Sequence, residues 1–121
     1  MNPQEIKLRT DTLSKNCLKV AMLLPKGEVI SDLAKQELVL HAANLSIMAR
    51  GLASAQAGRF FGQRVNGAVD HVYGCAYWLQ LAIDEKWMDS SILMPLLNEA
   101  DQLAIIFNLT AKNVESKLDH H

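Results

Sequence analysis

Apolar positions recur at helical spacing over four long runs of this chain. In the first, from about Pro3 to Leu24, the positions Ile6, Thr10, Leu13, Cys17, Val20 and Leu24 follow at intervals of four and three. That repeat places side chains on one seam of an α-helix. The third run has Phe61, Val65, Ala68, Val72, Cys75, Leu79 and Ala82 at the same intervals. The fourth has Leu93, Leu97, Ala100, Ala104, Phe107, Ala111, Val114 and Leu118. The second carries Leu38, Leu45 and Leu52. No run alternates with period two, so no strand is predicted. Breaks fall at Pro25-Lys26-Gly27, at Ala57-Gly58 and at Trp87-Met88-Asp89. Proline removes a backbone donor and glycine frees the chain, which stops a helix. With Ser31 and Asp89 as N-caps, the predicted helices are 3–24, 31–54, 59–87 and 90–118. Short connections make consecutive helices antiparallel neighbours. The expected fold is a single-domain, all-α, up-down-up-down antiparallel four-helix bundle. Pro95 lies beyond the first turn of the fourth helix, so a kink there, or a start at Ser91, is expected.

The second helix has more apolar surface than a bundle can cover. Leu33, Leu40 and Ile47 form a line about 140° around the helix from Leu38, Leu45 and Leu52, at ~100° per residue. The fourth helix adds Ile105, Ile106 and Leu109 off its main seam. Contiguous aliphatic surface of this kind marks interfaces. Self-association through Leu33, Leu40 and Ile47 is therefore expected. On the third helix Gly67, His71 and Gly74 share a stripe with Phe60, Arg64 and Trp78. Mid-helix glycine costs about 1 kcal/mol relative to alanine. Its presence points to a helix packed close against bare backbone, from the same chain or another. The three residues are accordingly candidates for a subunit interface.

Composition narrows the function. The chain has 121 residues, half of them hydrophobic, with three prolines and six glycines. That is one domain with a real core. Lys+Arg is 12 and Asp+Glu is 13, so no general affinity for nucleic acid is implied. The charged first residues do not form a signal peptide. No run of 18 uninterrupted apolar residues marks a membrane span. Two cysteines make no disulfide framework, and a cytoplasmic setting is expected. His120 and His121 read as the start of an affinity tag and are set aside.

Candidate chemistry is sparse. Within Val69-Asp-His-Val-Tyr-Gly-Cys-Ala-Tyr-Trp78, His71 and Cys75 are common metal ligands on one broad helix face. A metal site needs at least three donors. No His-x-x-x-His or Glu-x-x-His pair supplies them, so Cys75 reads as core and no metal or cofactor is expected. No serine has a recognisable His and carboxylate partner. A phosphate-binding loop, a dinucleotide fingerprint and zinc-finger pairing are all missing. Trp78, Trp87, Tyr73 and Tyr77 read as packing near a helix end. No enzyme is expected. One charge feature stands out: from Leu38 to Val69 there is no acid, while Arg50, Arg59 and Arg64 occur with His41. Arginine suits phosphate. These four residues are the candidate nucleic-acid-binding set, at the end where helix two turns into helix three. In a ring the patch would be repeated and strengthened.

The succession Leu23-Leu-Pro-Lys-Gly-Glu28, Gln36-Glu-Leu-Val-Leu-His-Ala-Ala43, Ala49-Arg-Gly51, Phe60-Phe-Gly-Gln-Arg-Val-Asn-Gly-Ala68 and Tyr77-Trp-Leu-Gln-Leu-Ala-Ile-Asp84 resembles a known family. It is that of the small bacterial four-helix-bundle proteins encoded in 23S rRNA intervening sequences. The accessory variability determinant of diversity-generating retroelements belongs to the same superfamily. The resemblance runs from about Leu13 to Lys117. It rests on order, spacing and apolar pattern. The family's Asn-Ile-Ala-Glu-Gly reads Ile47-Met-Ala-Arg-Gly51 here, and its Ala-x-Gly-Ser-x-x-Glu reads Ala68 to Gly74. Both family glutamates are replaced, by Arg50 and by Gly74, so their roles do not carry over. The resemblance implies a homopentameric ring. In the retroelement branch it also implies binding of a reverse transcriptase and of RNA or DNA through basic surfaces. The expectation is a non-enzymatic homo-oligomer that binds nucleic acid or a ribonucleoprotein through its arginine-bearing end, or alternatively a protein–protein adaptor. No membrane partner is expected.

Overall fold

The computed structural model describes residues 3–55 and 61–119, with side chains over 4–51, 65–110 and at 112. Its helices are α1 (Pro3–Leu23), α2 (Val29–Ala55), α3 (Phe61–Asp84) and α4 (Ser90–Asp119), with no strand among the described residues. Helices consecutive in the chain pack most extensively, and α1 meets α4 along a smaller seam. Partners across each seam run in opposite directions. Asp11 and Ser14 of α1 meet Ser46 and Ala42 of α2, and Gly67 and Gly74 of α3 lie against Met48 and His41 of α2. This is the all-α antiparallel four-helix bundle that the apolar pattern predicts.

The core holds most of the predicted seam positions, joined by Ala21, Val69 and Leu103, while Ile6 is only half-buried against it. Thr10, Leu13, Cys17, Val20 and Leu24 are buried from the first run. From the third come Val65, Ala68, Val72, Cys75, Leu79 and Ala82, and from the fourth Leu93, Leu97, Ala100, Ala104 and Phe107. The seam positions Leu52, Phe61, Ala111, Val114 and Leu118 fall outside the described side chains. On α2 the buried line is Ala34, Leu38, Ala42, Leu45 and Ala49. The alanines let α2 approach its neighbours closely. Ser14 donates its hydroxyl proton to the Ala42 carbonyl at 2.6 Å, and Thr10 donates to Ile6 O at 2.6 Å. Both buried hydroxyls are thus satisfied inside the bundle. Ser90–Thr110 of α4 has the length and mean hydropathy, 1.2, of a membrane crossing. A third of that apolar stretch is buried, along the seam from Leu93 to Phe107, while Ile92, Met94, Ile105 and Leu109 are exposed.

Helix ends explain where the boundaries depart from prediction. α2 starts at Val29, two residues before the expected cap. Ser31 lies buried in the first turn and donates to Pro25 O at 2.6 Å. Asp32 reaches back instead: its carboxylate accepts from the Gly27 amide at 3.2 Å. Gly27 has φ of 89°, which suits glycine. α3 stops at Asp84, short of the predicted 87. Lys86 N–H donates to Ile83 O at 3.1 Å, and Trp87 N–H donates to Ala82 O at 3.0 Å. This pair of bonds is the Schellman ending. Lys86 occupies its left-handed position, with φ of 57°. Asp89 caps α4 as predicted, its carboxylate accepting from Ser91 N–H at 2.9 Å. That bond holds the Asp89 carboxyl below its ordinary range. α4 runs as one helix from Ser90 through Pro95, starting one residue before Ser91.

The α1–α4 seam is closed by charge. Arg9 forks onto both carboxylate oxygens of Glu99, with its Nε 3.0 Å from Oε2. It also donates to Gln102 Oε1 at 3.1 Å. The bonds to Glu99 raise the Arg9 pKa above its ordinary value.

Two substitutions test these ends and seams. Lys86→Gly removes the Cβ from a left-handed position and is expected to stabilise the fold by about 1 kcal/mol. Glu99→Gln is expected to destabilise it by about 1 kcal/mol, the range of a well-formed, partly exposed ion pair. Urea unfolding at neutral pH measures both.

Candidate functional site

α2 has four sides, and each does something different. Its inner side is core. Its outer side carries the second apolar line into solvent: Val29 is 85% exposed, Leu33 46%, Leu40 53% and Ile47 67%. The residues expected to be left uncovered by the bundle are therefore uncovered. On α4, Ile105 and Leu109 are likewise exposed, while Ile106 is half-buried against the core.

The flank of α2 toward α1 is polar. Ser46 donates to Asp11 Oδ1 at 2.7 Å, and Lys15 pairs with Asp11 at 3.0 Å. The Ser46 hydroxyl, then Lys15 and the charge of Arg50, hold the Asp11 carboxyl below its ordinary range. This modifies the electrostatic expectation. The stretch from Leu38 to Val69 has no acid of its own, but antiparallel packing brings Asp11 of α1 beside it. The Arg50 charge is therefore opposed by a carboxylate thirty-nine residues away in the chain.

The flank toward α3 holds the second histidine. His41 Nδ1 and His71 Nδ1 are 3.1 Å apart, and their ring centroids are 5.3 Å apart with planes inclined at 54°. Glu37 Oε2 lies 3.6 Å from His41 Nε2, one turn back on α2. Burial, and then the neighbouring His41, lower the His71 pKa. Gly74 makes room for this pair. A Cβ there would stand 2.5 Å from His41 Cγ and Nδ1. At Gly67 the same construction meets only the thioether end of Met48, at 3.1 Å. The glycine stripe thus packs on α2 of its own chain, the first of the two alternatives open to it. Gly67, His71 and Gly74 were expected at a subunit interface, and the contacts they make here are intramolecular.

Of the nucleic-acid set, the two members with described side chains lie on different flanks of α2. His41 faces α3, whereas Arg50 lies toward α1, nine residues and about 13 Å along the helix at ~1.5 Å per residue. Arg59 falls outside the described residues, as does the side chain of Arg64. His71 pairs with a histidine rather than with Cys75. That thiol is fully buried, next to Cys17. The hydrogen bond between the two thiols, together with burial, pushes the Cys17 thiol far above its ordinary value. Both cysteines are free and act as core. Among the described residues no group of three or more metal-ligating side chains occurs. Of the four aromatic residues expected to pack, two do so, and Tyr73 and Tyr77 are exposed. Trp78 and Trp87 lie against the core, and Tyr73 accepts a hydrogen bond from Asn108 at 2.9 Å. The His41–His71 contact and the Asp11–Ser46 link were not visible in the sequence. Both join helices whose facing flanks depend on the rotation of each helix in the bundle. The Glu37-x-x-x-His41 spacing was the available signal for the first.

No protein-family model, curated protein or solved structure matches this chain.

The glycine contacts give a sign test. Gly74→Ala gains about 1 kcal/mol of helix propensity but overpacks His41 at a cost of ~2 kcal/mol, so a net loss of about 1 kcal/mol is expected. In a His41→Ala background the same change should become stabilising, and Gly67→Ala should never cost as much. Denaturant unfolding of the double-mutant cycle reads the coupling. The His71 pKa is lowered in the fold, so the unfolded chain takes up the proton first. Stability is then full above the ordinary histidine value, near 6.5. It should fall as pH drops from there toward the folded value. Melting curves across pH 5 to 8 should show this slope, and His71→Gln should flatten it.

Proposed function

We propose that this chain is a non-enzymatic helical module that works as an assembly of its own copies. Copies meet on the outer face of α2, and the assembly serves as a protein-facing scaffold. The observation that carries the reading is the line Val29, Leu33, Leu40 and Ile47, four large aliphatic side chains exposed on one face, with no covering element among the described residues. Burying such a line relieves roughly 25 cal/mol per Å2 of apolar area. It also supplies one side of the head-to-tail contact from which a closed ring is built, the other side being a different surface of the next copy. The resemblance to the four-helix proteins of 23S rRNA intervening sequences, and to the retroelement accessory proteins, supports a five-membered ring as its form.

Two features favour a protein partner over nucleic acid. His41 is turned toward α3, and the Arg50 charge lies beside Asp11. The nucleic-acid alternative rests on Arg59 and Arg64 together with Arg50, brought into a ring by symmetry. It accounts for the absence of acids between Leu38 and Val69.

Light scattering coupled to size exclusion is expected to show a closed multimer. Leu40→Asp and Ile47→Asp should each reduce it to single chains while the helical circular dichroism is retained. A wild-type protein that stays a single chain at high concentration overturns the proposal. Filter binding to structured RNA at low salt separates the two partner classes. Affinity that disappears with Arg59→Glu plus Arg64→Glu selects the nucleic-acid reading, and no affinity selects the protein-facing one.

A further inference from the structure

The flank between α2 and α3 holds two imidazoles aimed at each other through the same ring atom, His41 Nδ1 and His71 Nδ1, 3.1 Å apart. With both rings neutral, one Nδ1 must carry the proton and the other accept it. A second state is open to the same geometry. A borderline divalent cation binds imidazole nitrogen at ~2.0–2.1 Å. Two such bonds to atoms 3.1 Å apart enclose an angle of about 100°, between square-planar and tetrahedral values. Each ring aims its Nδ1 almost straight at the other, so the ion would lie about 1.3 Å off the line between them, and the rings must tilt toward it.

Two further features prepare the pair. Glu37 Oε2 stands 3.6 Å from His41 Nε2, on the far side of the ring from His71. A carboxylate there favours the proton on Nε2 and leaves the Nδ1 lone pair directed at the gap. Closing that distance to a hydrogen bond would complete the carboxylate–histidine–metal arrangement. Gly74 lets the His41 ring lie directly on α3, where any side chain would collide with it. The pair is half-buried, so solvent can still reach it.

We propose that His41 and His71 form a two-histidine clip for a divalent transition-metal ion of the zinc, nickel or copper type. It bridges α2 and α3 through the two Nδ1 atoms, Glu37 orients His41, and water completes the coordination. The clip is a site within one chain, independent of how copies assemble. Its strength follows the usual ligand-field order, with copper(II) ahead of zinc. One ion binds per chain. Because the ion ties two helices together only when they are folded, occupancy stabilises the bundle.

The test uses the chain ending at Asp119, without His120 and His121. Melting is followed at pH 7.5 with excess ZnCl2 or NiCl2 and then with excess EDTA. The melting temperature is expected to rise by about 5 °C at ion concentrations well above the dissociation constant, and EDTA should reverse the rise. Native mass spectrometry should count one ion per chain. His71→Gln should abolish the shift, and Glu37→Gln should weaken binding by about tenfold. His41→Gln gives a second, independent loss. The copper(II) complex should show two equivalent nitrogen donors by electron paramagnetic resonance, a reading that does not depend on stability. No shift in the parent chain, or a shift that survives in His71→Gln, overturns the proposal. A shift accompanied by an ion shared between two chains would overturn the intrachain clip.

Discussion

A helix in a four-membered bundle can hide only the arc that faces its two neighbours and the centre. Everything else about this molecule follows from that geometric limit. α1 and α3 carry one apolar seam each and α4 a seam with a surplus at Ile105 and Leu109, and among the described side chains the seams lie in or against the core. α2 carries two lines on nearly opposite sides, and only Ala34, Leu38, Ala42, Leu45 and Ala49 turn inward. No rotation of α2 could cover both lines. The inner one is rich in alanine, so α2 sits close to its neighbours and the outer one faces away from all of them.

Close approach has consequences along both flanks of α2. Small residues bring backbone near backbone, and side chains that would ordinarily reach solvent are turned across the seam. Ser14 reaches the Ala42 carbonyl, Ser46 reaches Asp11, and His41 lies over Gly74 against His71. These polar links set the register of three helices against one another. Apolar packing alone would leave that register loosely defined, because alanine surfaces are nearly featureless.

The seams were legible because a period of 3.6 leaves its mark on every turn. The seam positions from Thr10 to Leu24, from Val65 to Ala82 and from Leu93 to Phe107 are buried where the spacing places them. Helix ends were less legible, since they depend on a few local hydrogen bonds that several residues could make. Ser31 has the chemistry of a cap, yet Asp32 reaches back and Ser31 is buried. Lys86 gives no sign in the sequence that it takes the left-handed position usually given to glycine. The charge pattern was incomplete for a different reason. Counting charges along the chain detects neighbours in sequence, whereas Asp11 reaches the flank of α2 through space. The candidate surface on α2 was readable as surplus apolar area. The pairing of His41 with His71 was not, because it depends on the relative rotation of two helices.

The connectivity of the seams also bears on how the molecule comes to be folded. Each extensive contact joins helices adjacent in the chain, and the one seam between the chain's first and last helices is small and closed by the Arg9–Glu99 fork. Contacts of low sequence separation form early, since little loop entropy is lost in making them. Hairpins of successive helices can therefore condense while the chain is still being synthesised. The arrival of α4 against α1 is the one long-range event, and a guanidinium meeting a carboxylate can guide it from a distance, before any apolar surfaces touch.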